Sequence, residues 1–227
     1  MLRALIFDFN GIIVDDEPIH LELFQRVLRE ECIDLSEQDY YARYLGMDDR
    51  GCFKAVFREH DRELTESALG RLVDRKATYY GEAIQNKIRV FPGVKKLVPL
   101  LAAQFPLAIA SGALRSEIET ILAAMGLNEH FRAITSAEDV KEGKPEPEIF
   151  VKTLTLLNST LNRVSPIRPA ECLVIEDSKE GIRAARRAGM KCLAVANSHP
   201  AEKLTEADAV VKSLERVEIS FLQKLCS

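Results

Sequence analysis

The sequence predicts an α/β fold in which a parallel sheet carries helices on both faces and an inserted helical domain interrupts the core. Short apolar runs typical of buried strands recur along the chain, and amphipathic stretches lie between them. The exception is a segment of some seventy residues after the first run, which contains no convincing strand. Strands that alternate with helices form parallel sheets, and a long helical segment within that pattern indicates an insertion.

The predicted strands are five apolar runs bounded by polar or turn residues, at positions 3–9, 107–110, 131–135, 172–175 and 191–195. The first run ends at Asn10 and Gly11, a pair typical of turns. The stretches between later runs carry apolar residues three and four apart and end at Gly126 and Gly189. This spacing is typical of helices that pack on one side. The core is therefore predicted to be Rossmann-like.

The inserted segment is predicted to form four helices, over residues 19–31, 37–44, 50–60 and 66–85. The chain then returns to the core at Phe91, where Pro92 and Gly93 mark a turn. Two domains are expected from this pattern. They are an α/β core formed by residues 1–15 and 91–227, and a helical cap formed by residues 16–90.

The composition is typical of a soluble globular protein. With 227 residues, 47% of them hydrophobic, the chain has enough apolar material for one large domain or two unequal ones. No run approaches eighteen apolar residues, and the amino terminus becomes acidic too early for a signal peptide. We therefore expect a cytoplasmic protein with no membrane partner. A net charge of −4 argues against nucleic acid as a partner.

The cysteines do not indicate a disulfide framework or a zinc site. There are five of them, an odd number, and none forms a Cys-x-x-Cys pair. Cys172 and Cys192 lie beside apolar runs. We expect most of the cysteines to be reduced core residues.

Polar and charged side chains follow three of the predicted strands. Asp8 lies at the end of the first, Ser111 follows the second, and Glu176 with Asp177 follows the fourth, while Lys144 lies in the loop before the helix that leads to the fourth. Because the carboxyl ends of parallel strands share one edge of a sheet, we expect these side chains to converge. Acidic groups brought together repel each other, and a hard divalent cation with oxygen ligands offsets that repulsion. Mg²⁺ is the predicted cofactor.

A carboxylate nucleophile, a divalent cation, a lysine and a hydroxyl together suit a phosphate group. The cation and Lys144 offset charge on the phosphoryl oxygens, Ser111 donates a hydrogen bond, and Asp8 attacks phosphorus to form an aspartyl-phosphate. Taken singly, each residue has an ordinary alternative. The acids can cap the helices that follow them, and the lysine and the serine can face solvent.

Four short motifs contain these residues in order: DFNGIIVD at residues 8–15, ASG at 110–112, GKP at 143–145 and VIEDS at 174–178. Together they closely resemble the four motifs of the haloacid dehalogenase superfamily. The helical insertion directly after the first motif resembles the cap of its β-phosphoglucomutase-like phosphatases and phosphohexomutases. The resemblance therefore covers nearly the whole chain.

The resemblance implies a role for each residue that matches a motif. Asp8 is the nucleophile, Lys144 bridges nucleophile and phosphate, and Ser111 with Gly112 binds phosphate. The implied metal ligands are the side chains of Asp8, Glu176 and Asp177 and the main-chain carbonyl of Asn10.

Three further residues are candidates for substrate binding. His20 matches a histidine at the cap hinge of β-phosphoglucomutases, and alternatively packs at the domain junction. Arg50 lies in the region of the cap's specificity loop, although its spacing from the preceding glycine is one residue longer than in the mutases. Arg115 follows Ser111 by four residues and either reaches a substrate phosphate or faces solvent.

The sequence departs from the family at Asn10, where its phosphatases and mutases carry a second aspartate that acts as general acid and base. An amide cannot exchange protons usefully, so this step should lose about 10²–10⁴-fold without a replacement. Asp16, Glu17 or His20 can supply the proton in a specialised enzyme. Alternatively, the substrate has a leaving group that needs no acid, such as an acyl phosphate. The last alternatives are that the protein binds a phosphorylated ligand without catalysis, or that Asn10 is a deliberate substitution.

The predicted function is a Mg²⁺-dependent phosphatase for a small phosphorylated metabolite, such as a sugar phosphate, that acts as a monomer or weak dimer. A non-catalytic binder, a phosphohexomutase and a haloacid dehalogenase are the alternatives. Glu176 and Asp177 argue against dehalogenation, which uses the aspartate without a metal. A phosphonate hydrolase would need a cap lysine for a Schiff base, and Lys54 is a candidate.

Overall fold

The computed structural model describes residues 1–45, 47–87, 89–161 and 165–226. The chain forms two compact units. One comprises Met1–Asp15 and Arg89–Ser227, and the other comprises Asp16–Ile88. We call them the α/β unit and the helical unit.

The α/β unit contains all eight strands of the described residues. They are β1 (Ala4–Phe7), β2 (Val14–Asp15), β3 (Arg89–Val90), β4 (Leu107–Ala110), β5 (Phe131–Thr135), β6 (Cys172–Glu176), β7 (Lys191–Val195) and β8 (Ala209–Val211).

Four helices of the described residues lie in the helical unit and five in the α/β unit. The helical unit has α1 (Glu17–Glu30), α2 (Glu37–Asp39), which continues as a π-turn over Tyr40–Tyr44, α3 (Asp49–Glu59) and α4 (Glu66–Lys87). The α/β unit has α5 (Val94–Ala102), α6 (Arg115–Met125), α7 (Glu148–Leu161), α8 (Lys179–Arg187) and α9 (Ile219–Leu225).

Six parallel strands form the main sheet in the order β5-β4-β1-β6-β7-β8. β1 lies between two strands that are distant in sequence, with Leu5 paired to Leu107 on one side and to Leu173 on the other. β2 and β3 form a separate antiparallel pair in which Val14 faces Val90. This pair joins the two chain segments that flank the helical unit.

The sheet is buried on both faces at its centre, which explains why β1 and β4 are apolar throughout. Every residue of β1 and β4 is buried. Helices α7 and α8 cover one face, where Phe150 and Ile182 pack against Ile6 and Val174 in one apolar cluster. Burial on both faces is typical of parallel sheets.

The predicted α/β fold with a parallel sheet is confirmed, and the structure adds detail to it. The five predicted strands are present, each within two residues of its predicted ends. The sequence prediction missed β8, together with β2 and β3, which contain three, two and two residues. Such short segments are too brief to show a strand pattern.

All five cysteines are free thiols, and four of them are buried while Cys32 is exposed. Among the helices of the described residues, none combines the length and the apolarity that crossing a bilayer requires.

The helical unit has its own apolar core, built from residues of α1, α3, α4 and the π-turn. Phe24, Phe53 and Leu69 are among its buried members. The rings of Phe24 and Phe53 meet edge to face at 5.1 Å between centroids. Edge-to-face contacts of this kind add to the free energy gained by burial.

A buried polar cluster also lies inside the helical unit. Lys76 of α4 is only 1% exposed, and its ammonium donates to Asp49 Oδ1 at 2.6 Å and to His20 Nδ1 at 2.7 Å. Because an ammonium can only donate, Nδ1 is the acceptor and His20 carries its proton on Nε2. Nε2 lies 3.0 Å from Asp16 Oδ2, which also accepts from Tyr80 at 2.5 Å.

We predict that Lys76→Met destabilises the protein by about 1–3 kcal/mol, because the buried His20 Nδ1 and the Asp49 carboxylate, which is 31% exposed, lose their donor. Lys54→Met is the matched control, since Lys54 is 52% exposed and pairs with Glu66. It should cost less than about 1 kcal/mol. Urea denaturation followed by circular dichroism measures both changes. Adding Asp49→Asn to Lys76→Met should recover part of the loss, and equal losses for Lys76→Met and Lys54→Met would contradict the account.

Candidate active site

Three carboxyl groups meet at the carboxyl edge of the sheet. Asp8 follows β1, Glu176 ends β6 and Asp177 comes next. Phe7 pairs with Ile175 in register, so Asp8 and Glu176 lie side by side. One oxygen from each of the three acids lies within 4.8 Å of the others, and all three residues are buried.

Lys144 lies between two of these acids. Its ammonium is 2.6 Å from Asp8 Oδ1 and 2.6 Å from Glu176 Oε1. The lysine side chain is 14% exposed, so both ion pairs are shielded from water. Charge-assisted hydrogen bonds at this distance are strong, and they fix the two carboxylates relative to each other.

One lysine does not balance three acids. Burial raises the pKa of Asp8 to about 7, although Lys144 opposes the shift, and the Glu176 carboxylate adds to it. Burial also raises the pKa of Asp177 well above its usual value, with further contributions from Glu176 and Asp8. The pKa of Lys144 is raised although burial opposes it, because Asp8 and Glu176 favour the ammonium. The cluster therefore favours additional positive charge.

The loop that carries Lys144 is fixed at both ends. Glu148 Oε2 accepts hydrogen bonds from the amides of residues 141–142, at 3.0 and 3.1 Å. Arg187 of α8 donates to the carbonyl oxygen of Pro145 at 3.2 Å. These contacts hold the loop backbone on either side of the lysine.

Glu176 is held by the turn that leads into α8. Its Oε2 accepts from the amide of Asp177 and from both the amide and the hydroxyl of Ser178, each at 2.8 Å. Gly181, in the first turn of α8, leaves space for this carboxylate, because a Cβ there would lie 1.7 Å from Glu176 Oε1. The first turn of α8 therefore needs a glycine at position 181 to accommodate the Glu176 carboxylate.

The turn after Asp8 packs against Asp177. Gly11 has φ of 81°, in the left-handed region that favours glycine, and a Cβ there would lie 1.9 Å from Asp177 Oδ2. Its amide donates to the carbonyl of Val14 at 2.9 Å, and Asn10 forms a bridge with Val14. The turn that presents Asn10 is thus closed by backbone hydrogen bonds.

Ser111 lies at the same edge, after β4. Phe7 pairs with Ile109, which places Ser111 one residue beyond the level of Asp8. The serine is buried, and its hydroxyl oxygen accepts from the amide of Ala113 at 3.1 Å. A Cβ at Gly112 would meet nothing within 4 Å, so this glycine borders open space.

The three remaining candidates have structural partners. Arg115 donates to the carbonyl of Ile134 at 3.0 Å and to Asp139 at 2.6 Å, so it ties α6 to the end of β5. Arg50 lies in the helical unit, where its guanidinium pairs with Glu66. His20 belongs to the buried polar cluster of the helical unit.

Two residues that the sequence analysis did not name also contact this site. The hydroxyl of Ser198 donates to Asp177 Oδ2, and the side-chain amide of Asn197 donates to the carbonyl of Gly11 at 2.6 Å. Both residues follow β7. The rule that polar residues after parallel strands form the site applies to β7 as well, and it would have found them.

The profile of haloacid dehalogenase-like hydrolases matches residues 5–195, most of the chain. The chain belongs to this family. The predicted family and the predicted enzyme class, a hydrolase, are therefore confirmed.

Individual members of the family show how far the similarity extends. A phosphorylated carbohydrates phosphatase of Thermotoga maritima is 27% identical over 213 residues, 92% of this chain and 93% of the relative. A chloroplastic 5-amino-6-(5-phospho-D-ribitylamino)uracil phosphatase of Arabidopsis thaliana is 28% identical over 222 residues, 97% of this chain. This chain spans only 57% of the length of that relative.

A solved structure shares the fold of this hydrolase. The crystal structure of β-phosphoglucomutase from Clostridium difficile superposes with a TM-score of 0.85 at 24% identity. The match covers 100% of this chain and 97% of the other.

We predict that Gly181→Ala destabilises the protein by about 1–3 kcal/mol, because the new methyl group forces Glu176 out of its hydrogen bonds. Gly70→Ala in α4 is the matched control, since a Cβ there meets nothing within 4 Å. Removing a helical glycine at such a position stabilises by roughly 0.5–1 kcal/mol. Urea denaturation compares the two variants, and a gain in stability for both would show that Glu176 is not confined by Gly181.

Proposed function

We propose that this hydrolase is a Mg²⁺-dependent phosphatase that acts on a small phosphorylated metabolite through an aspartyl-phosphate on Asp8. The observation that carries the proposal is the position of Lys144, whose ammonium lies 2.6 Å from both Asp8 and Glu176. A cation held against a candidate nucleophile at the edge of a sheet suits an incoming phosphate group.

The acidic cluster fits Mg²⁺. Asp8, Glu176 and Asp177 offer carboxylate oxygens within 4.8 Å of one another, and hard cations prefer oxygen ligands. The raised pKa values of Asp8 and Asp177 indicate that the cluster accommodates more positive charge. By the family resemblance, the main-chain carbonyl of Asn10 completes the protein ligands. When bound, the ion supplies positive charge to the phosphoryl oxygens.

Asp8 forms the new bond in the proposed reaction. Its carboxylate oxygen bonds to phosphorus as the bond between phosphorus and the leaving oxygen breaks, and water later takes the phosphoryl group and frees Asp8. Lys144 favours the ionised form of Asp8 that this attack requires. The hydroxyl oxygen of Ser111 accepts from the amide of Ala113, which leaves its proton available for a phosphoryl oxygen.

The leaving oxygen needs a proton that Asn10 does not supply. Among the acids that the sequence offers instead, Asp16 has a pKa that His20 and Tyr80 hold below the usual value although burial opposes them. Burial raises the pKa of Glu17, and the hydroxyl of Tyr40 only partly offsets it. A group with a raised pKa keeps its proton to higher pH, so Glu17 stays protonated to higher pH than Asp16. Substrates with good leaving groups need no proton donor.

The relatives support a small phosphorylated metabolite as the substrate class. The Thermotoga maritima protein is a phosphatase of phosphorylated carbohydrates, and the Arabidopsis thaliana protein acts on a phosphoribityl compound. Both names describe phosphate on a polyhydroxylated carbon chain. A sugar phosphate is therefore the first substrate to test.

We expect phosphate release from a panel of sugar phosphates and aryl phosphates to require Mg²⁺ and to stop when EDTA is added. Asp8→Asn should abolish release, because the amide cannot attack phosphorus. Asp34→Asn is the matched control, since Asp34 is 98% exposed, and it should retain wild-type turnover. Full activity in EDTA would exclude the metal role, and halide release from a chloroacid would assign dehalogenation instead.

We predict that Asn10→Asp raises the turnover of an alkyl phosphate by about 10²-fold, because it restores a proton donor for a poor leaving group. An activated aryl phosphate should gain much less, since its leaving group needs little protonation. Steady-state kcat for the two substrates measures the contrast, with Mg²⁺ binding checked in both proteins. No gain on either substrate would favour a substitute acid or a binding role.

A further inference from the structure

We propose that Asn197 and Ser198, the turn that follows β7, are positioning residues for the cation site. This inference rests on the proposed function, because it assigns these residues to the Mg²⁺ held by Asp177 and its neighbours. Neither residue belongs to the four sequence motifs. Both are placed at the site by the sheet.

The position of the turn follows from strand order and register. β7 lies directly beside β6, and Ala194 pairs with Glu176. The residues just after Val195 therefore emerge beside the acids at the end of β6. Asn197 closes a tight turn there, since its amide donates to the carbonyl of Val195 at 2.9 Å. The amide of Ala196 donates to the carbonyl of Val211 at 2.8 Å, which ties the turn to β8.

Ser198 fixes the carboxyl group of Asp177. Its hydroxyl donates to Oδ2, the same oxygen that lies against the bare Cα of Gly11. Oδ2 of Asp177 thus contacts both a hydrogen-bond donor and a glycine. Asp177 is 4% exposed, so little water is available to replace this hydroxyl. The contact limits rotation of the carboxyl group.

Asn197 fixes the turn that contains Gly11. Its side-chain amide donates to the carbonyl of Gly11 at 2.6 Å. Gly11 directly follows Asn10, whose main-chain carbonyl is the ligand that the family resemblance implies. Two consecutive residues therefore hold two parts of the site: the backbone of the turn after β1 and the side chain of Asp177 after β6.

The role of this turn is positioning, because neither side chain carries charge or offers a carboxylate to the ion. Hydrogen bonds that orient metal ligands are worth about 10–100-fold in metal affinity. Loss of the hydroxyl leaves Asp177 free to rotate and leaves one acceptor oxygen in a buried place without its donor. Affinity for Mg²⁺ should fall while the fold stays intact.

The test is isothermal titration of the full-length protein with Mg²⁺ in the absence of substrate. We expect Ser198→Ala to weaken Mg²⁺ binding by about 10-fold or more, and Ser198→Thr, which keeps the hydroxyl, to restore most of it. Ser159→Ala is the matched control, because the hydroxyl of Ser159 only bonds the carbonyl of Leu156 within α7. It should bind Mg²⁺ like the wild type.

A second readout separates positioning from a general structural effect. The rise in Tm on adding Mg²⁺, taken for each variant relative to its own Tm in EDTA, should be larger for Ser159→Ala than for Ser198→Ala. Asn197→Ala should also weaken Mg²⁺ binding, by roughly the 10-fold lower end of the range for such hydrogen bonds. Wild-type affinity in both Ser198→Ala and Asn197→Ala would overturn the inference and leave the proposed function standing. A wild-type protein that binds no Mg²⁺ would overturn the metal dependence itself.

Discussion

Three buried carboxyl groups repel one another at the ends of two adjacent strands. The other contacts of the site offset this repulsion. Lys144 enters between Asp8 and Glu176 and neutralises part of the charge. Backbone amides and a hydroxyl satisfy Glu176 from the turn into α8. A fold that confines three acids with one cation remains short of positive charge, and this shortage accounts for the affinity that we assign to the site. Stability and function therefore depend on the same few contacts.

The sequence predicted the centre of the site better than its surroundings. Asp8, Glu176 and Asp177 could be placed together because parallel strands end at one edge, whatever the details of packing. The contacts of Arg115 with β5 and of Arg50 with Glu66 depend on tertiary packing, which no local pattern encodes. Other features were not predicted, for different reasons. Asn197 and Ser198 follow a predicted strand but match no motif, and β8 is too short to show periodicity.

The two units differ in where they place their buried charged side chains. The α/β unit covers an apolar sheet on both faces and confines its buried charge to one edge. The helical unit instead places Lys76 in its interior, beside the ring of Phe24 at 4.3 Å and between His20 and Asp49. Such a cluster contributes little net free energy compared with apolar packing. Removing Lys76 nevertheless leaves both His20 and Asp49 without their donor.

The central position of β1 also has a consequence for how the chain folds during synthesis. β1 is made first, yet its neighbours β4 and β6 are translated about a hundred and about a hundred and seventy residues later, as the pairing of Leu5 with Leu107 and Leu173 shows. The helical unit is continuous in sequence, over Asp16–Ile88, so all of it is synthesised while β1 still lacks β4 and β6. The nascent chain can therefore form its helical unit before its sheet. The acidic cluster is completed only when the end of β6 has emerged.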